Sequence, residues 1–269
     1  MSFDEPATAM YRERADTLSA EAGSGPELLC AHGTLMDRTM FDPQLNGLSD
    51  EYRVAAYNLR ARTERAFDPY DLDDLVEDCR AMMDGLGMDK PVLAGMSMGG
   101  FMALRLAISY PDEISGLVLI DSTSKPHPDD DIELYRGMIE QGRDDDGMEL
   151  SMAETVTHFL FGETTLEENS ELVESWVDRW RTYPGESVYQ EVYSWLERPD
   201  VTDELQDLDI PTLVVHGEED ASIDYERAKP TVEALDAETA LIPEAGHSSN
   251  LEQPDAVNDA IRSFLGDVY

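Results

Sequence analysis

Pro91-Val92-Leu93-Ala94-Gly95-Met96-Ser97-Met98-Gly99-Gly100 is the stretch that decides the fold. Its first four residues form a short apolar run of the kind that makes a strand covered on both faces. From Gly99 to about Tyr110 the pattern is helical, and Pro111 stops it. Between them Gly95-Met96-Ser97-Met98-Gly99 spells G-x-S-x-G. A strand that turns this sharply into a helix leaves room only for small residues two positions either side of the serine. The serine is then expected in a strained backbone conformation, with its hydroxyl lifted above the sheet. An incidental serine in a tight glycine turn is the alternative, and the flanking strand and helix argue against it.

Outward from this turn, five further apolar runs read as strands: 28–31, 53–57, 116–120, 211–215 and 239–242. They are nearly continuous in apolar character, as expected of a parallel sheet with helices on both faces. The intervening segments are amphipathic. Between Asp71 and Gly87, Leu72, Leu75, Val76, Cys79, Met82 and Leu86 share one helical face, with Asp71 placed to cap the start and Gly85 or Gly87 to end it. A last helix begins at Pro254, buries Val257, Ala260, Ile261 and Phe264, and ends at Gly266. Alternation of this kind means βαβ units, hence an α/β fold. Residues 122–209 break the rhythm: they hold all three tryptophans and helical patterns but no core strand. They read as a helical insertion, so that 1–121 and 210–269 form the core and 122–209 a separate cap. The Asp129–131 and Asp144–146 runs read as helix starts or solvated loops.

Composition narrows the function classes. Fifty-nine Asp and Glu against 19 Lys and Arg leave a net charge of −40, and only Lys90, Lys125 and Lys229 are lysines. Such a surface repels nucleic acid and anionic membranes and repels itself, which suits a strongly screening solvent. Cys30 and Cys79 make no disulfide framework. No apolar run reaches membrane-spanning length, and Met1-Ser2-Phe3-Asp4-Glu5 lacks the basic and apolar regions of a leader, so a cytoplasmic location is expected.

A serine nucleophile needs a base. Of five histidines, His32 and His216 precede glycines after core strands, and His127 and His158 lie in the insertion. His247, in a loop between the last strand and the last helix, has small neighbours that let an imidazole reach a nucleophile. The third member is a carboxylate that sets the imidazole tautomer. Asp220, just beyond strand 211–215, is favoured, with Asp121 at the end of strand 116–120 as rival. An oxyanion would be held by the backbone N–H groups of Met98 and of Thr34, in the loop after the first core strand. His32 reads as structural, behind that loop. No metal-ligand spacing and no dinucleotide-binding glycine loop is present, so neither a metal nor a cofactor is expected, and the partner is a small-molecule substrate.

His32-Gly33, Met40-Phe41-Asp42-Pro43-Gln44, Gly95-Met96-Ser97-Met98-Gly99-Gly100, Val215-His216-Gly217-Glu218-Glu219-Asp220 and Ala245-Gly246-His247-Ser248-Ser249-Asn250 together resemble the α/β-hydrolase fold superfamily over nearly the whole chain. The resemblance is to its esterase, enol-lactone hydrolase and haloperoxidase-like branch. It implies an eight-stranded, mostly parallel sheet with a helical cap after the sixth strand. The first two strands would be antiparallel and lie near 8–12 and 17–21. The implied activity is hydrolysis of small to medium carboxylic esters or lactones through an acyl-enzyme. Carbon–carbon bond hydrolysis or perhydrolysis by the same triad is an alternative, and a non-catalytic receptor on the same scaffold is a second. Leu35, Phe159, Trp176 and Trp180 are expected in the substrate pocket. The family's Asp-x-Arg-Gly-x-Gly stands here as Asn58-Leu59-Arg60-Ala61-Arg62-Thr63, with both glycines missing. The acidic, lysine-poor composition resembles proteins of salt-loving microbes.

Overall fold

The computed structural model describes residues 5–269, with side chains from residue 8 onward; residues 1–4, read above for a leader, lie outside the described residues. Seven strands form one sheet: β1 (Ser19–Ala22), β2 (Glu27–Ala31), β3 (Arg53–Tyr57), β4 (Val92–Met96), β5 (Gly116–Ile120), β6 (Thr212–Gly217) and β7 (Glu238–Ile242). Their order is β1-β3-β2-β4-β5-β6-β7. Only β1 runs antiparallel, to β3. Every residue of β4 and β5 is buried, which is why these strands carry no alternation. At the far edge β7 exposes three of its five residues, since only one face is covered there.

The sheet is one strand short of the eight that the resemblance implies. Residues 8–12 lie in the helix Glu5–Glu13. Tyr11 on that helix packs edge-on against Tyr57, with ring centroids 6.1 Å apart, and its hydroxyl donates to Asn58 O at 3.0 Å. The segment thus covers a sheet face instead of extending an edge. Of the second stretch, only Ser19 to Glu21 is strand, preceded by the short helix Ala15–Leu18.

Helix Leu72–Leu86 starts at Asp71 with a reciprocal capping box to Asp74 and ends at Gly87 in the left-handed region. Gly85 lies inside the helix, where a Cβ would stand 2.7 Å from Arg12 O. The last helix continues past Gly266 to Val268. Between β5 and β6 come six helices and no strand: Asp129–Gly142, Leu150–Leu160, Glu163–Glu168, Ser170–Trp180, Gly185–Leu196 and Thr202–Leu205. Asp129, Asp130 and Asp131 occupy the first turn of the first of these, where carboxylates suit the helix dipole. Asp144, Asp145 and Asp146 are exposed in the loop that follows. Among the described residues no helix is long and apolar enough to cross a membrane.

Parallel register brings the working ends together. Ala31 pairs with Gly95, Gly95 with Leu119, and Ile120 with Val215. The loops after β2, β4, β5 and β6 therefore leave the sheet side by side, at the carboxyl edge where α/β proteins build sites.

Candidate active site

Ser97 sits between β4 and the helix Met98–Ser109 with φ 47° and ψ −112°, a strained conformation for a residue with a Cβ. Both motif glycines are required by close approach. A Cβ on Gly95 would lie 2.4 Å from Gly99 C, and one on Gly99 would lie 2.2 Å from Ala31 O. The Ser97 amide donates to Ile120 O at 2.9 Å, and its carbonyl accepts from Phe101 N and the Ser122 hydroxyl, each at 3.0 Å. The strain is thus held by neighbours on three sides.

His247 Nδ1–H donates to Asp220 Oδ2 at 2.8 Å, and Nε2 faces Ser97 Oγ at 3.0 Å. A carboxylate can only accept, so the imidazole proton sits on Nδ1 and Nε2 is free to take the serine proton. All three side chains are buried. Burial lowers the His247 pKa, but the Asp220 carboxylate beside it outweighs burial and raises it above the usual imidazole value. The loop bearing His247 is fixed from both flanks. Glu252 Oε1 accepts from Gly246 N and Ser248 N, each at 3.0 Å, and Asn250 Nδ2 donates to Met40 O at 3.0 Å.

Asp121 does not touch His247. Its Oδ1 accepts from Gly217 N at 2.8 Å, and its Oδ2 from Ser249 N at 3.1 Å and Ser249 Oγ at 2.6 Å. Asp121, His216 and Asp220 bring oxygen and nitrogen atoms within 4.8 Å of one another, a grouping that sequence spacing does not reveal. Both carboxylates and His216 Nε2 are engaged, while His216 Nδ1 is buried without a partner. Asp220 Oδ1 accepts from Ser222 N and Ile223 N at 2.8 and 2.9 Å, and His216 Nε2–H donates to Ile223 O at 2.7 Å. The trio is a hydrogen-bond junction that joins two strand ends.

The loop after β2 lies against Ser97: a Cβ on Gly33 would stand 3.2 Å from Ser97 Cβ. His32 braces it from behind. Nδ1–H donates to Gly33 O, and Nε2 accepts from Leu59 N, both at 2.9 Å. Met98 N–H is the first of its helix and therefore has no intrahelical acceptor. Thr34 Oγ1 is buried without a partner.

The sequence pattern that defines the alpha/beta hydrolase family matches residues 28–260. The chain belongs to that family. Among relatives of this hydrolase, 3-oxoadipate enol-lactonase 2 of Acinetobacter baylyi is 26% identical over 243 residues, covering 89% of this chain and 88% of that one. Carboxylesterase YbfK of Bacillus subtilis is 25% identical over 256 residues, covering 89% and 80%. A thermophilic esterase from Thermogutta terrifontis, solved with malate bound, superposes with a TM-score of 0.86 at 32% identity over 93% of both chains.

In this hydrolase Ser97, His247, Thr34 and Leu35 open onto one cavity of about 210 Å³. Most of its wall comes from the helical segment between β5 and β6, including Met138, Met152, Val156 and Phe159 on helices and Met148 in the loop between two of them. Leu35 and Phe159 therefore stand where the sequence suggests. Trp176 and Trp180 do not: neither is on the wall. Trp180 is fully buried, stacks on Phe161 at 6.1 Å and donates Nε1–H to Leu35 O at 2.9 Å. Its indole needs an acceptor when buried, and the loop after β2 supplies one. Unforeseen on the wall are His127, Tyr135, Ser222 and several methionines. Methionine fills irregular apolar space without a periodic signal of its own.

The segment 58–63, which lacks both glycines of the family pattern, is held by ion pairs. Arg60 and Arg62 form a short turn. Arg60 Nε is 2.6 Å from buried Asp78, and Arg62 Nη2 is 2.9 Å from buried Glu191 while its guanidinium lies 3.8 Å over the Tyr183 ring. Glu191 also accepts from Leu35 N at 3.1 Å, so this loop, the helix Gly185–Leu196 and the loop after β2 are locked together.

Proposed function

We propose that this hydrolase cleaves neutral carboxylic esters or lactones through an acyl-enzyme on Ser97. The observation that carries the reading is the buried relay Ser97–His247–Asp220, with contacts of 3.0 and 2.8 Å, open to an apolar cavity. Ser97 Oγ attacks the carbonyl carbon as its proton passes to His247 Nε2. The resulting oxyanion is received by the Thr34 and Met98 N–H groups. Collapse expels the alcohol oxygen, which takes the proton from His247. Water then gives a proton to His247 and attacks the acyl carbon, releasing the acid and restoring Ser97. Asp220 stays ionised throughout and holds the imidazole tautomer.

Residues 1–121 and 210–269 serve in this reading as the catalytic core, and 122–209 as the cap that shapes the cavity. Neutral substrates are favoured because the charged residues lining it are Asp145 and Glu149, with no Lys or Arg among the lining residues. The chain's charge of −40 adds to the repulsion of an anion. The test is a fluorophosphonate probe in molar KCl, with the adduct mapped by peptide mass spectrometry, alongside p-nitrophenyl ester turnover by Ser97→Ala. The expected result is an adduct on Ser97 and loss of turnover by several orders of magnitude. Absence of an adduct favours a receptor. Turnover of ring-cleavage diketones in preference to esters favours carbon–carbon bond hydrolysis.

A further inference from the structure

The cavity wall is not apolar throughout. His127, Tyr135 and Ser222 stand on it together with His247. His127 is only 5% exposed, and its ring is packed edge-on against Tyr135 at 5.4 Å and tilted against Trp195 at 5.2 Å. Arg227 Nη2 lies 2.7 Å from His127 Nδ1. A guanidinium can only donate, so Nδ1 accepts and the proton of the neutral ring sits on Nε2. That Nε2 makes no hydrogen bond within the protein among the described residues, although the ring forms part of the cavity wall. Nε2 is not sealed off from the cavity, so its N–H is open to whatever occupies the site and can donate to it.

The ring also stays neutral. Burial disfavours its charged form, and the Arg198 and Arg227 guanidiniums and His247 add to that effect. Asp131, 3.7 Å from Nδ1, and Asp220 do not reverse it. Nε2–H is thus a donor over the whole working pH range.

A chain of hydrogen bonds fixes where this donor points from. Ser222 N donates to Asp220 at 2.8 Å, Arg227 Nη1 donates to Ser222 O at 2.9 Å, and Arg227 Nη2 reaches His127. His127 is therefore tied to the loop that carries Asp220, the hydrogen-bond partner of His247. In the ester reading on which this rests, the alcohol oxygen must lie beside His247 Nε2 to receive its proton.

We propose that His127 Nε2–H is a substrate-binding donor that selects neutral esters whose leaving group carries a second acceptor oxygen, an ether or acyloxy oxygen, near the scissile bond. The measurement is kcat/KM for a butyl ester and its methoxyethyl isostere, with one acid part, for wild type, His127→Phe and His127→Gln. Each ratio is divided by the ratio for hydroxide-catalysed hydrolysis of the same pair. Wild type is expected to favour the methoxyethyl ester by about tenfold beyond hydroxide, the worth of one hydrogen bond. His127→Phe, which keeps a ring and removes the donor, is expected to bring the corrected ratio to about one. His127→Gln, which can place an N–H near the Nε2 position, should retain part of the preference. A corrected wild-type ratio of one overturns the proposal without any variant, as does a His127→Phe enzyme that keeps the preference. If the Phe variant does not fold, the wild-type ratio and the Gln variant decide. Failure of Ser97 to take a fluorophosphonate in wild type overturns the ester reading itself; labelling and turnover without preference overturn only the role of His127.

Discussion

Asp121 and Asp220 leave the carboxyl ends of neighbouring parallel strands, and both are buried, yet they do different work. Asp121 follows β5 immediately, and its oxygens are spent on Gly217 and Ser249. Asp220 stands three residues beyond the end of β6, far enough for its Oδ2 to meet the imidazole of His247. Burial pushes the Asp121 carboxyl up to about 7. Burial acts on Asp220 as well, but His247 and His216 beside it outweigh the effect and hold it down at about 2. Whether a strand-end carboxylate meets an imidazole or ties backbone amides is thus decided by the loop that comes to lie opposite it.

The largest expected effect is on turnover. Asp220→Asn should lower kcat by roughly 10³–10⁴, by analogy with triad carboxylates whose loss leaves the wrong imidazole tautomer. Asp121→Asn should stay within about tenfold of wild type. If steady-state kinetics with a p-nitrophenyl ester rank the two the other way, Asp121 is the orienting acid.

Stability should invert the ranking. An amide at position 121 would set a donor against Gly217 N–H or Ser249 in a buried place, at a cost of about 1–3 kcal/mol. For a chain of this length each kcal/mol lowers Tm by roughly 2–4 °C. A thermal scan in which Asp121→Asn melts with wild type would remove its role as a tie.

The pH profile separates the two carboxylates by charge. His247 must be neutral to act as base, so kcat/KM rises with pH through its pKa. That pKa lies above the ordinary imidazole value because Asp220, and after it Asp121, favour the protonated ring. Asp121→Asn is expected to move the acid limb to lower pH, since the fraction of Asp121 that is ionised in that pH range no longer favours the protonated ring. A limb that stays in place or moves upward contradicts this electrostatic coupling.

The smallest difference between the pair is expected in salt. With a net charge of −40, self-repulsion favours the unfolded chain, and the screening length falls from about 10 Å at 0.1 M to about 3 Å at 1 M. We propose that the acidic surface is an adaptation to molar salt. The urea midpoint should rise between about 0.1 M and 2–3 M KCl, by more than in a near-neutral protein of equal size. Wild type and Asp121→Asn should gain equally, because a buried carboxylate is screened little. Equal midpoints at both salt concentrations, with an unchanged m-value, rule the adaptation out.

How far each feature could be read from the chain depended on how local its cause is. The turn at Ser97 follows from glycines two residues away, and the helix after Asp71 from a cap three residues long. The assignment of residues 8–12 to a strand failed because an edge strand is defined by its neighbour; the segment instead lays Tyr11 over Tyr57. Trp180 was misplaced for a related reason. Its acceptor is Leu35 O, 145 residues away in the chain, and nothing local tells an anchoring indole from a pocket-lining one. The segment 58–63 lacks the two glycines of the family pattern, and the partners that hold it, Asp78 and Glu191, lie far along the chain.

The positions of six strands along the chain, the sharp turn at Ser97 and the candidacy of His247 with two rival carboxylates were therefore legible from residue type and short spacing, because local sterics and hydrophobic periodicity act over a few residues. The choice between Asp121 and Asp220, the tautomers of His247 and His127 and the composition of the cavity wall were settled only on folding. Each depends on which donor lies within about 3 Å of which acceptor, and the parallel register of β2, β4, β5 and β6 brings those groups together from distant parts of the chain.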